Sequence, residues 1–87
     1  MRRSRDTTAA GELLGARLRE VRLKRGLSQQ ALAELVGIPQ THVSAMELGA
    51  KFPNLMTILR LAVALDCKVM DLVGVFDKGD LRELLPK

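Results

Sequence analysis

Residues 26–49 read GLSQQALAELVGIPQTHVSAMELG, and this stretch decides the fold. Ser28 stands where its hydroxyl can accept the first free amides of a short helix at 29–36, and Leu32, Ala33 and Val36 give that helix one apolar side. Gly37 supplies the permissive backbone of a turn and Ile38 an apolar anchor. Pro39 favours a new helix start, and a second helix at 40–48 is ended by Gly49. The result is two short helices joined by a tight turn, the second with a polar outer face.

Outward from this pair the helical pattern continues. Upstream, Leu14, Leu18 and Val21 form a stripe that predicts a helix over residues 12–25, with Gly26 in the position of a left-handed stop. Residues 1–11 lack apolar periodicity and are expected to form a flexible basic arm. Downstream, Asn54 caps a fourth helix at 55–65 with a stripe of Leu55, Ile58, Leu61, Ala62 and Leu65. A fifth follows at 69–73, stopped by Gly74. Residues 75–87 form a tail in which a short sixth helix after Asp80, through Leu81, Leu84 and Leu85 to Pro86, is left open. The fold class is therefore all-α, with five helices in one domain at 12–74.

Composition narrows the function. At 87 residues and 47% hydrophobic content, one small core is feasible without metal or disulfide staples. One cysteine, Cys67, and one histidine, His42, provide neither a metal cluster nor a nucleophile–base set, so neither an enzyme nor a cofactor is expected. The apolar run 61–65 is far short of the roughly 20 residues of a membrane span, and no signal-peptide core follows the first arginines. A cytoplasmic protein is expected. Net charge is +4, yet residues 26–87 sum to −1, so the positive charge lies in the first 25 residues. That asymmetry suits a polyanionic partner, although a solvated basic helix would look the same.

With LREVR at 18–22, GLSQQALA at 26–33, GIP at 37–39 and VSAMELG at 43–49, the chain resembles the phage repressor and Cro (Xre-like) family of helix-turn-helix regulators. The likeness spans roughly residues 13–74 and implies a five-helix lambda-repressor-like domain whose helix-turn-helix occupies about 29–48. It also implies double-stranded DNA as the partner. On a helical wheel, Val43 and Met46 fall on one side of the second helix of the pair, and Gln40, Thr41, Ser44, Ala45 and Leu48 on the other. Gln40, Thr41, Ser44 and Ala45 are therefore the expected base readers, with Gln40 matched to the N6 and N7 of adenine. By resemblance, Gln29 holds a phosphate while touching the first reading residue, and Lys51 contacts the DNA backbone just beyond the reading helix. His42, on the flank, is assigned to phosphate or solvent. Arg22 and Glu47 match a family pair that forms a partly buried salt bridge. Arg2, Arg3 and Arg5 could clamp the minor groove or a phosphate, or remain solvated.

Helix 4 is apolar on more than its core side, because Met56, Leu59 and Val63 share a second arc. Together with Met70, Val73 and Phe76 they are expected to form a homodimer interface, with scattered surface hydrophobes as the alternative. The expectation is a dimeric bacterial or phage regulator that occupies a roughly palindromic operator. An antitoxin that holds a toxin or other protein partner, and a restriction-modification controller, are the competing readings. Asp66, Lys68 and Leu48 depart from the residues usual in the family, which bears on the corner before helix 5 and the end of the reading helix. Cys67 is expected to face inward as a small core residue.

Overall fold

The structure, a computed structural model, describes residues 7–82 and 84–86. Among the described residues six helices follow one another: α1 (Ala9–Lys24), α2 (Gln29–Val36), α3 (Gln40–Leu48), α4 (Leu55–Ala64), α5 (Val69–Val73) and α6 (Lys78–Arg82). Among the described residues no helix is long and apolar enough to cross a membrane. Arg2, Arg3 and Arg5 lie outside the described residues, and with them the expected clamp.

Three helices begin with a side-chain cap. Thr8 Oγ1 accepts from the Gly11 amide at 2.9 Å, Ser28 Oγ from Ala31 at 3.0 Å and Asn54 Oδ1 from Thr57 at 2.8 Å. Each such cap stabilises its helix by about 1 kcal/mol. The first of them moves the start of α1 three residues ahead of the predicted position. Ala9, Ala10 and Gly11 carry no apolar stripe, but Ala10 and Gly11 are buried all the same. They belong to the domain rather than to the arm.

The core joins Leu14, Leu18 and Val21 of α1 with Leu32, Ala33 and Val36 of α2 and Val43 and Met46 of α3. Ile58, Leu61, Ala62 and Leu65 from α4 and its end, and Leu72 from α5, close it. α3 packs on both α1 and α2, while α4 packs on α2 and α5. This holds the inner side of α3 on buried Val43 and Met46 and leaves its polar side outward.

Two glycine features set the geometry of α3. Gly37 (φ 79°) and Gly49 (φ 86°) occupy the left-handed region at its two flanks, a conformation that costs any residue with a Cβ. Gly15 instead permits a close crossing: a Cβ there would stand 2.5 Å from the Glu47 carbonyl oxygen, and nearer still to that of Met46. Likewise a Cβ on Gly11 would meet the Gly49 carbonyl oxygen at 2.8 Å. α1 therefore lies directly on the last turn of α3.

The corner between α4 and α5 bears the departures seen in the sequence. Asp66 takes φ 50°, a left-handed value that aspartate tolerates better than most residues. Lys68 offers no oxygen to cap α5, and Asp71 Oδ2 compensates by accepting the Lys68 amide at 2.8 Å. After α5, Phe76 stacks on Phe52 with ring centroids 6.5 Å apart, and α6 packs on α1.

Candidate nucleic-acid interface

The outer side of α3 presents Gln40, Thr41, His42 and Leu48 to solvent, with Ser44 and Ala45 half-buried behind them. The wheel thus placed the four expected readers on the outer side, the first two most exposed.

Behind Gln40 runs a chain of hydrogen bonds. Arg22 grips Glu47 with two bonds, Nε to Oε2 at 2.6 Å and Nη2 to Oε1 at 3.0 Å, while its Nη1 donates to the Leu27 carbonyl at 2.8 Å. The side chains of this pair are only 8% and 4% exposed, so the predicted salt bridge is present and buried. The hydrogen bond to Glu47 outweighs burial and raises the pKa of Arg22 above the ordinary arginine value. Gln29 Nε2 then donates to Glu47 Oε1 at 3.0 Å, and Gln40 Nε2 donates to Gln29 Oε1 at 2.8 Å. The contact between the two glutamines was expected. The bond from Gln29 to Glu47 was not, because it joins residues 18 apart that only the packing of α2 on α3 brings together.

On the other flank, His42 and Lys51 border one cleft of about 140 Å³, shared with Asn54 and Thr57. Two cation-capable side chains so placed could engage a phosphate without reading a base. The amides of Ala50 and Lys51 both donate inward to the Ala45 carbonyl, at 2.9 and 3.2 Å, so they close the end of α3 rather than face a phosphate.

The basic first helix is partly used for structure. Arg17 Nε donates to the Asp71 carbonyl and Arg25 Nη2 to the Asp66 carbonyl, each at 2.6 Å, which ties α1 to the α4–α5 corner and to α5. With Arg22, three of the positive charges counted in the sequence hold the domain together. Arg17 also pairs with Glu20 on its own helix.

The apolar face divides. Met56, Leu59 and Val63 are exposed on α4, Val63 by 82%, and Val63 shares a groove with Leu35 and Arg60. Met70 is exposed as well, but it lines a different groove with Leu13, Ala16 and Val75. Val73 and Phe76, expected at a dimer interface, are half-buried against the protein's own core, Phe76 on Phe52, which leaves less of their surface open to a partner. Cys67 is half-buried as expected, and burial, more than the neighbouring charge of Asp71, pushes its thiol up from the ordinary value.

This architecture has known counterparts. The restriction-modification controller protein C.AhdI from Aeromonas hydrophila superposes with a TM-score of 0.70 at 42% identity, over 71% of this chain and 94% of that one. The clp gene regulator ClgR from C. glutamicum does so with a TM-score of 0.73 at 29% identity, over 76% of this chain and 85% of that one. In sequence, an uncharacterized HTH-type transcriptional regulator of Sinorhizobium fredii, y4dJ, is 30% identical over 67 residues, which is 77% of this chain and 87% of the relative. The SPbeta prophage-derived regulator YonR of Bacillus subtilis is 32% identical over 74 residues, 84% of this chain and 68% of its own length. The family model HTH_3, helix-turn-helix, matches residues 18–72. The chain therefore belongs to the HTH_3 helix-turn-helix family and is a DNA-binding transcriptional regulator, not an enzyme.

Proposed function

We propose that the protein acts in the bacterial or phage-infected cytoplasm as a dimer that occupies a roughly palindromic operator and regulates transcription by that occupancy. The observation that carries this reading is the outer side of α3: Gln40 and Thr41 stand exposed at its leading end, with Gln40 held at 2.8 Å by Gln29. Gln40, Thr41, Ser44 and Ala45 meet base edges in the major groove, Gln40 as the bidentate partner of an adenine. Gln29, His42 and Lys51 hold phosphates on either side and fix the register.

One α3 reads only a half-site. A second copy docked through Met56, Leu59 and Val63, with Leu35 beside them, supplies the other, because these, together with Leu55 at the start of α4, are the large exposed apolar side chains of α2 and α4. Two-fold symmetry then spaces the half-sites by about 34–36 Å, one turn of DNA.

Selection of bound sequences from a random DNA pool tests the reading. The expected result is a two-fold site, with Gln40→Ala losing preference at one position per half-site and Lys51→Ala weakening all sequences alike. Binding that is blind to sequence would overturn it. The 42% identity to C.AhdI favours a second reading, control of a restriction-modification system. A methyltransferase gene beside this one, with the selected site in their shared promoter, would decide for it.

A further inference from the structure

Glu47 sits at the inner end of the hydrogen-bond chain, its side chain only 4% exposed and far too enclosed to touch DNA. Its chemistry nevertheless limits what Gln40 can offer. An ionised carboxylate only accepts hydrogen bonds, so the Gln29 amide can approach Glu47 Oε1 only through Nε2. That turns Gln29 Oε1 toward α3. An amide oxygen also only accepts, so Gln40 in turn must face it with Nε2. One hydrogen of Gln40 Nε2 is thereby committed. The other hydrogen and Oε1 remain, in a fixed order, with the donor on the Gln29 side.

An unrestrained glutamine can exchange its nitrogen and oxygen by a half-turn about its last bond. In this chain the exchanged form would set two amide oxygens against each other at hydrogen-bond distance, leaving both unpaired on that side. The fixed order matches a base edge that shows an acceptor beside a donor, and adenine does so with N7 and N6. No other single base presents both, although a G·C pair does so across its two bases with guanine O6 and cytosine N4.

We propose that Glu47 is a positioning residue for base choice: through Gln29 it sets the donor–acceptor order of Gln40 and so selects adenine without touching the DNA. This rests on the reading of Gln40 as a base contact. Arg22 takes part by holding the carboxylate with two bonds, which fixes Oε1 in line with Gln29.

The test is Glu47→Gln, nearly isosteric and neutral. The new amide would turn its oxygen to the Arg22 guanidinium and its NH2 to Gln29, which reverses Gln29 and then Gln40. In selections from random DNA, the parent should prefer adenine at the Gln40 position by about 5- to 140-fold, the range of a good bidentate pair. Glu47→Gln should lose or change that preference as Gln40→Ala does, while preferences at the other positions persist. A general loss of stability lowers binding to all sequences and does not alter one base alone. If Glu47→Gln does not fold, Gln29→Met breaks the chain while leaving Arg22 and Glu47 joined, and the same single-position loss is expected. Retention of adenine by either folded variant, where Gln40→Ala loses it, overturns the positioning role alone. A parent with no preference at that position, or one indifferent to Gln40→Ala, overturns the base-contact reading and this inference together.

Discussion

Replacing Gly15 by alanine should lower stability, the reverse of its usual effect in a helix. In an unobstructed helix interior, alanine is favoured over glycine by about 1 kcal/mol. Here the added methyl would press on the Met46 and Glu47 carbonyls, which are backbone and cannot swing aside. α1 and α3 would have to part by roughly 1 Å, a gap that forfeits about a quarter to a half of each dispersion contact across it. Leu14 and Leu18 on one side and Val43 and Met46 on the other are all buried. A quarter of what four such side chains contribute is ~1.5–3 kcal/mol. Less the gain in helix propensity, the net loss is about 0.5–2 kcal/mol, a fall in Tm of roughly 2–16 °C for a domain of this size. Thermal unfolding followed by circular dichroism in the helical band measures it directly. A variant that melts at or above the parent temperature would refute the close crossing of α1 and α3.

Three further outcomes follow from the same contacts. Glu47→Ala leaves the Arg22 guanidinium buried without its counter-ion, at a cost of about 3–5 kcal/mol, and unchanged thermal stability in that variant would contradict a structural role for the pair. Leu59→Glu combined with Val63→Glu should convert a dimer into a folded monomer in sedimentation at micromolar concentration; a parent that is already monomeric removes the basis for that interface. Burial raises the Cys67 pKa, so the folded state holds the thiol proton more tightly than the unfolded chain does. Stability on this account is intact below the unfolded thiol's pKa and declines as pH rises through the folded value. Alkylation at mildly alkaline pH should accordingly be slower in the native protein than in urea, and equal rates would show the thiol to be unprotected.

What could be read from the chain was what local chemistry encodes. α2, α3 and α4 each announce themselves within a few residues, through Ser28, Asn54 and the glycines at 37 and 49, and their apolar spacing fixes which side of α3 faces out. The start of α1 was not legible, because Ala10 and Gly11 are buried only in the folded chain, Gly11 against the backbone of Gly49, some 40 residues away. Val73 and Phe76 carried the same apolar signal as Val63. Only tertiary packing, of Val73 against the core and of Phe76 on Phe52, separates these half-buried side chains from an exposed one. Within the candidate site, Gln29, Gln40, Arg22 and Glu47 were each identifiable through the family likeness, but the bond that makes them one chain depends on tertiary packing.

The hydrogen bonds that tie Arg17, Arg22 and Arg25 to the protein bear on how it should respond to ionic strength. Affinity for duplex DNA falls with salt in proportion to the phosphates neutralised, about 0.9 in the logarithmic slope for each. A tally of formal charge would credit all three arginines to that slope. Arg22 is neutralised within the fold by Glu47 and Arg17 faces Glu20 on its own helix, whereas Arg25, bonded only to the neutral Asp66 carbonyl, keeps its charge at the surface. The salt dependence of this regulator should therefore follow surface cations such as Lys51 rather than the +4 of the chain.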